Sequence, residues 1–455
     1  MMRMKRHVRA ALAAAFAGAL LLTACADSDE GSETDDAVSD ADGGTDGDTA
    51  DDTDDGAAAD GDREDVSLTV WSWRTEDEQA YNEIFAIYEE QNPNVSIEFV
   101  PYVNTDYNNV LATGLTGSGG PDVAQLRAYG GVQPLIEAGQ LVPLDGEVAS
   151  LDNFSDELLD GARGVEDGRV YGAPFGIQTI VGFYNRGIFD EQGLDEPETW
   201  DEFIEVLEAL DAAGVTPIAN GGGDDWMLPI VHEGLGGARY GANDFREAVL
   251  AGETDFTDPD FVESIQVIED LLPYMPDQAI GVSYNDSRSL FAAEQAAMFI
   301  GGSFEVGFWE SDAPNVDVGA FRIPAAPGSP SDAVTPGWVD GSYGVSANSD
   351  NQDEAMRLVD WMGTEEFGQL FVDEIQQLSA VPGLTPQNEL LAEIADLYEE
   401  SPSAYLLLTD FRYGDPWGTE LMGLGVQEIM LGDASAEDVA ANIQRGVEQW
   451  FTPNS

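Results

Sequence analysis

The chain has 455 residues, 17 basic against 88 acidic, a formal net charge of −71 and a single cysteine. That length holds two or three domains, and that charge repels nucleic acid and anionic substrates. One cysteine and two histidines exclude a disulfide framework and zinc sites built from Cys and His.

The first residues read as a targeting segment. Arg3, Lys5, Arg6 and Arg9 precede an apolar run, Ala10 to Leu22, which is too short for a comfortable membrane span. Residues 1–24 are therefore expected to be a signal peptide. Leu22-Thr23-Ala24-Cys25 resembles a bacterial lipobox, which implies cleavage before Cys25 and a lipid on it. Residues 25–65 comprise this cysteine and an acidic tether whose only basic residue is Arg63. The tether has almost nothing to bury and is expected to be disordered and self-repelling. Asp40-Ala41-Asp42 hints at a calcium loop, but Gly44 stands where a third oxygen ligand belongs. Signal peptide (+4) and tether (−17) leave −58 on the rest, and the only lysine is Lys5. Adaptation to high salt and a GC-rich genome both account for that composition.

The mature fold opens with Val66-Ser67-Leu68-Thr69-Val70-Trp71, which alternates as a half-buried strand does. Thr75-x-x-Glu78 reads as a capping box. Tyr81, Ile84, Phe85 and Tyr88 then share one helix face, and Val95, Ile97 and Phe99 alternate again. This is β-α-β, the start of a parallel sheet. A helix over Tyr107 to Leu115, a short strand at Pro121 to Ala124, and a helix with its exit within Leu135 to Leu141 follow. Asp122 reads as a structural cap of a turn.

Tyr171 to Phe189 is apolar but broken by Gly172, Pro174, Gly176 and Gly182, punctuation that a plain core strand would not carry. Its residues alone allow an ordinary buried strand or a crossing between two lobes. The α/β pattern then restarts. Thr199 to Glu202 is a second capping box before Phe203, Val206, Leu207 and Leu210. Val215 to Ala219 is a strand, Val262 to Leu272 a helix, Ala296 to Ile300 a buried strand and Val316 to Ile323 another. Val345 and Ala347 are expected to begin a strand before the helix carrying Ala355, Leu358, Val359 and Met362. Ser435 caps the last long helix.

In order and spacing, these motifs resemble the extracellular solute-binding proteins of ABC importers, in the carbohydrate-type family-1 group that includes maltose-binding protein. The resemblance covers roughly residues 66–455 and rests on several stretches. They are Leu68 to Trp71, Gly120-Pro121-Asp122-Val123, Tyr171 to Pro174, Phe183-Tyr184-Asn185, Pro197-x-Thr199-Trp200-x-x-Phe203, and Ala297 to Ser303 ahead of Ala355 to Trp361. It implies an α/β fold of two lobes joined by a multi-segment hinge, periplasmic-binding-protein-like and of type II. Lobe one would span 66–176 plus 324–378, and lobe two 177–323 plus 379–455. Crossings would lie near Pro174 to Ile180, Arg322 to Pro324 and Leu378 to Pro382. It also implies a carbohydrate ligand, ABC permease subunits with a cytoplasmic ATPase as partners, and a lipid-anchored extracytoplasmic location. A monomer without cofactor is expected.

A sugar site needs aromatic platforms and planar hydrogen-bonding groups. Trp226, in a loop after a strand, and Trp417, ahead of a helix, match stacking positions of the family. Phe304 stands where the family often has tryptophan. In lobe one, Trp73, Arg74 and Glu76 follow the first strand, and Gln125, Arg127 and Tyr129 follow a later one, at ends where open α/β sheets bind ligands. Trp338, Asp340 and Ser342 are expected in a loop, Pro336 to Gly341, that returns to lobe one. Gln178 matches in register a carboxylate that contacts sugar in maltose-binding protein, with an amide in its place.

Other classes compete. A secreted glycoside hydrolase could use paired carboxylates, and Asp224-Asp225 stand beside Trp226. In so acidic a chain, adjacent carboxylates arise by chance. His232 is read as packing in a helix, and Tyr184 and Trp200 as packing too. The same fold could also hold a polyamine, a metal ion or a glycerol phosphoester.

Overall fold

Two hydrophobic cores, each drawn from separated stretches of sequence, organise residues 64–117 and 119–453, which the computed structural model describes. The expected signal peptide, Cys25 and all but the last two tether residues lie outside the described residues. The first core gathers residues from Leu68 to Phe175 and from Tyr343 to Val381. The second gathers Ile180 to Ala326, Trp338, Val372 and Leu390 to Val447.

The opening alternation becomes β1 (Val66–Ser72), with Leu68 and Val70 buried. Tyr81, Ile84, Phe85 and Tyr88 are the buried face of the helix Glu78–Gln91. The chain returns as β2 (Val95–Pro101), parallel to β1, and β3 (Val123–Arg127) lies parallel on the other side of β1. This is the β-α-β start that the pattern predicts. Asp122 fastens it, its carboxylate accepting the Thr69 N–H at 2.9 Å.

The remaining strands are β4 (Ala173–Asn185), β5 (Thr216–Ile218), β6 (Ala296–Gly302), β7 (Val318–Phe321), β8 (Thr335–Val345), β9 (Leu378–Ser379) and β10 (Pro402–Ala404). β8 runs antiparallel between β3 and β4. β4 continues past it to pair with β6 and β7, and β5 lies parallel to β6. β4 therefore serves both cores: Ala173 and Phe175 pack in the first, Ile180, Val181 and Phe183 in the second. Its glycines have local causes. The register with β8 shifts at Gly176, and a Cβ on Gly182 would lie 2.6 Å from the Phe321 ring.

Some sequence expectations change. Pro336 to Gly341 is not a loop but part of β8. Its glycines answer to crowding rather than to a turn: a Cβ on Gly341 would lie 2.4 Å from the Leu126 carbonyl oxygen and 2.7 Å from the Trp73 ring. Val345 accordingly closes a strand instead of opening one. Thr75 caps nothing, because the helix starts at Glu78 behind Asp77. The Asp77 carboxylate turns to Arg74 instead, at 2.9 Å. The helix expected, with its exit, within Leu135 to Leu141 is Gln133–Glu137. The Thr199–Glu202 capping box and the Ser435 cap form as expected.

The helix Leu228–Tyr240 is buried on nearly every side, which leaves its polar residues no water. His232 bonds the Ser264 hydroxyl at 2.8 Å, and burial pushes its pKa down to about 3, so it stays neutral. The Tyr240 hydroxyl donates to Glu233 at 2.5 Å. Burial pushes the Glu233 carboxyl from 4.5 up to about 8, against the pull of its hydrogen bonds. The folded state thus holds a proton that the unfolded chain releases above 4.5. The associated stability is complete below that value and is lost as pH rises through about 8. Thermal melts from pH 5 to 9 should show a decline in stability that Glu233→Gln flattens. A variant with the wild-type slope would assign that proton elsewhere.

Candidate functional site

Open α/β sheets present binding groups at the C-terminal ends of their strands. Just past β1, Trp73 is buried against Tyr107 and Phe175, with ring centroids 5.6 and 5.7 Å away. At the end of β3, the Arg127 guanidinium lies 3.9 Å from the Trp73 ring centroid and donates to Asn104 Oδ1 at 2.7 Å. Arg74 is buried and pairs with Asp77 at 2.9 Å and with the exposed Glu76 at 3.8 Å. Burial acts to lower its pKa, but Asp77, Asp340 and Glu76 hold it above the ordinary value. Burial pushes Asp77 up to about 6 against the attraction of Arg74.

Asp340 of β8 lies within electrostatic reach of both arginines and accepts from the Gln178 Nε2 at 3.3 Å. The same nitrogen donates to Gln377 at 2.8 Å, while Gln178 Oε1 accepts from Ser303 at 2.7 Å. Gln178 is fully buried, so both ends of its amide are committed to protein. The Tyr129 hydroxyl accepts the Val339 N–H at 3.1 Å, one residue from Asp340, and its ring packs on the second core.

The second core supplies a facing wall. Trp226 lies in the short turn Asp225–Met227 and is 43% exposed, where the other tryptophans are covered more fully. Tyr284 meets its ring edge-on at 4.8 Å. The Tyr284 hydroxyl donates to Glu305 Oε1 at 2.7 Å, and Arg288 Nε lies 3.2 Å from Glu305 Oε2. Glu305 is fully buried, and burial pushes it up to about 7 against Arg288, Tyr284 and Arg74. Arg74 belongs to the opposite wall, so the two walls lie within electrostatic reach. Phe304 is half-buried next to Glu305. Trp417 precedes the helix Gly418–Leu431, with the Arg412 guanidinium 4.3 Å from its ring centroid.

The structure thus brings Trp73, Arg74, Glu76, Arg127, Gln178 and Asp340 together on one side. On the other it places Trp226 and Phe304 around Tyr284, Arg288 and Glu305, and Trp417 with Arg412. Gln125 stands apart inside the first core, accepting from Ser72 at 2.6 Å and donating to the Tyr81 hydroxyl at 2.9 Å. Trp338 is buried edge-on to Tyr405 at 5.4 Å. Sequence reasoning missed Asp77, Tyr284, Arg288, Glu305 and Arg412. Tyr284 and Arg288 did carry a signal, an aromatic and an arginine one turn apart behind the Ser283 capping box. Glu305 and Arg412 carried none. Among the described residues, no group of three or more His, Cys, Asp or Glu is placed to hold a metal ion.

The assembled groups are flat rings, forked donors and carboxylates, which suit reversible capture of a polyhydroxylated solute. The profile of the family described as bacterial extracellular solute-binding protein matches residues 71–369. The multiple sugar-binding protein of Streptococcus mutans is 25% identical over 381 residues, covering 80% of this chain and 85% of its own. The mannitol-binding protein of Pseudomonas aeruginosa is 22% identical over 358 residues, 77% of this chain and 80% of its own. Among solved structures, a chitin oligosaccharide binding protein superposes with a TM-score of 0.72 at 24% identity, over 84% of this chain and 98% of its own. RafE in complex with raffinose gives 0.69 at 22% identity, over 84% and 99%. These likenesses establish the fold as the two-lobed, mixed α/β type.

The Arg74–Asp77 pair anchors the first wall and is mostly shielded from water. Removing one partner of such a pair strands the other charge. Asp77→Ala should cost about 3–5 kcal/mol in equilibrium chemical denaturation. A loss under about 1 kcal/mol would mark the pair as solvent-screened.

Proposed function

Since the chain belongs to the bacterial extracellular solute-binding proteins, we propose that it captures a sugar or oligosaccharide between its two lobes and delivers it to the permease of an ABC importer. The family is one of binding proteins rather than enzymes, and it works outside the cytoplasm. In this reading Cys25 carries the lipid that holds the protein at the membrane, and the acidic tether spaces the lobes from it. Lobe one is then built on the first core and lobe two on the second, with β4 and β8 running between them. Ala326 and Trp338 pack with the second core and Ala380 and Val381 with the first, which moves the lobe boundaries from the expected 323/324 and 378/379 into β8 and past β9.

The observation that carries the proposal is the exposed Trp226 ring, held edge-on by Tyr284, whose hydroxyl bonds the buried Glu305 that pairs with Arg288 and lies within electrostatic reach of Arg74 and Glu76. An exposed indole offers a face to sugar C–H groups, and the charged groups around it offer partners to hydroxyls. The names of the relatives support a saccharide over other solutes.

A ligand that binds only the folded state raises its stability, by about 2.7 kcal/mol at a hundredfold excess over Kd. A thermal-shift screen over mono- and oligosaccharides should therefore single out a ligand, and Trp226→Ala should abolish the largest shift. A shift left unchanged in that variant would remove Trp226 from the site.

A further inference from the structure

Arginine is scarce here, so its partners are informative. Of the twelve arginines among the described residues, nine lie within 4.0 Å of a carboxylate. The other three are Arg127, Arg412 and Arg445, and Arg445 is exposed on the last helix. Arg127 and Arg412 are half-buried. Arg127 is held by neutral groups only, Asn104 at 2.7 Å and Asn108 at 3.4 Å. The Arg412 Nε is buried without a hydrogen-bond partner. Each guanidinium lies over a tryptophan of the cleft, Arg127 over Trp73 and Arg412 over Trp417.

The two arginines approach from opposite cores. Arg127 ends β3 of the first, and Arg412 follows Phe411 of the second. Their segments meet: a Cβ on Gly130 would lie 1.9 Å from the Arg412 carbonyl oxygen. Each feels the desolvation. Burial pushes Arg127 down to about 10, with Asp340 opposing and Arg412 reinforcing the fall, and burial lowers Arg412 as well. A chain with 88 acidic residues has no shortage of carboxylates to place between them. Of the nearby carboxylates, Asp77 and Glu76 pair with Arg74, while Asp340, bonded to Gln178, acts on Arg127 across space without forming an ion pair with it.

We propose that Arg127 and Arg412 form a two-sided clamp for an anionic substituent on the saccharide, the carboxylate of a uronic acid or a phosphate ester. This deepens the saccharide reading above and rests on it. Two guanidinium groups of like charge brought toward each other repel and oppose closure. An anion between them reverses the sign and favours the closed form, and a ligand drives closure only through such a difference. Forked donors on both sides suit the planar carboxylate and the phosphate alike. The overall negative field does not prevent this, because at physiological salt it is screened beyond roughly 8 Å.

Isothermal titration of the purified protein with glucose, galactose, glucuronate, galacturonate, digalacturonate and glucose 6-phosphate tests the clamp. At least one acidic ligand should bind about tenfold or more tightly than its neutral counterpart. The uronate and phosphate arms tell which anion is preferred. Arg412→Gln should cut the acidic-to-neutral affinity ratio about tenfold. Arg127→Gln, whose side chain has only neutral anchors, makes the same test should the first variant fold poorly. Neutral sugars that bind as tightly as acidic ones, or a ratio unchanged in both variants, would overturn the clamp and leave the saccharide reading standing. Glucose 6-phosphate and the uronates all failing alongside every neutral sugar in a wider oligosaccharide panel would overturn both.

Discussion

Gln178 joins chain segments that lie far apart in sequence. Its amide nitrogen reaches Asp340 in β8 and Gln377 beside β9, and its amide oxygen takes the Ser303 hydroxyl. A buried polar atom left without a partner costs more than its bond contributes. The geometry is therefore obligatory, and these four segments hold one another in place. The rest of the cleft depends on that arrangement. Asp340 is delivered to Arg74 and Arg127, Ser303 fixes the turn that carries Phe304 and Glu305, and β4 is held against β8 where the two cores meet.

The charge distribution has two scales. Outside, an excess of carboxylates keeps the protein soluble and self-repelling. Inside the cleft, arginine recurs at each wall, and most of it is seated on an aromatic ring. Such seating gives a cation a partner that is neither water nor a carboxylate; Arg288 pairs with Glu305 as well, whereas the buried Arg412 Nε keeps its donor available. The surface excess and the inner arginines serve separate ends, and neither could be inferred from the sum.

What the sequence revealed was local. The β-α-β opening, the Thr199 and Ser435 caps and the exposure of Trp226 all follow from periodicity, capping chemistry and turn residues within a few positions. The Gly- and Pro-broken stretch at residues 171–189 stood out by its punctuation, although its residues alone left an ordinary buried strand open; a strand that packs in two cores must tolerate close neighbours on both faces. What stayed hidden was long-range. Gln125 is a core residue because Ser72 and Tyr81 reach it from afar. Glu305 matters because Tyr284 and Arg288 fold onto it. Pro336 to Gly341 reads as a loop by composition, yet its glycines are required by the Leu126 carbonyl and by the Trp73 and Tyr398 rings, all distant in sequence.

The thirteen residues of β4 have a mechanical consequence. A covalent strand is nearly inextensible, since consecutive Cα atoms keep a fixed spacing across trans peptides, whereas its twist is soft. With one end paired to β8 and the other to β6 and β7, β4 would act, in the two-lobe reading, as a torsion bar rather than a sliding joint. The two bodies can turn about it but cannot be drawn apart along it. Points near β4 would keep their separation through such a rotation, while points farther from it would sweep the greater distance.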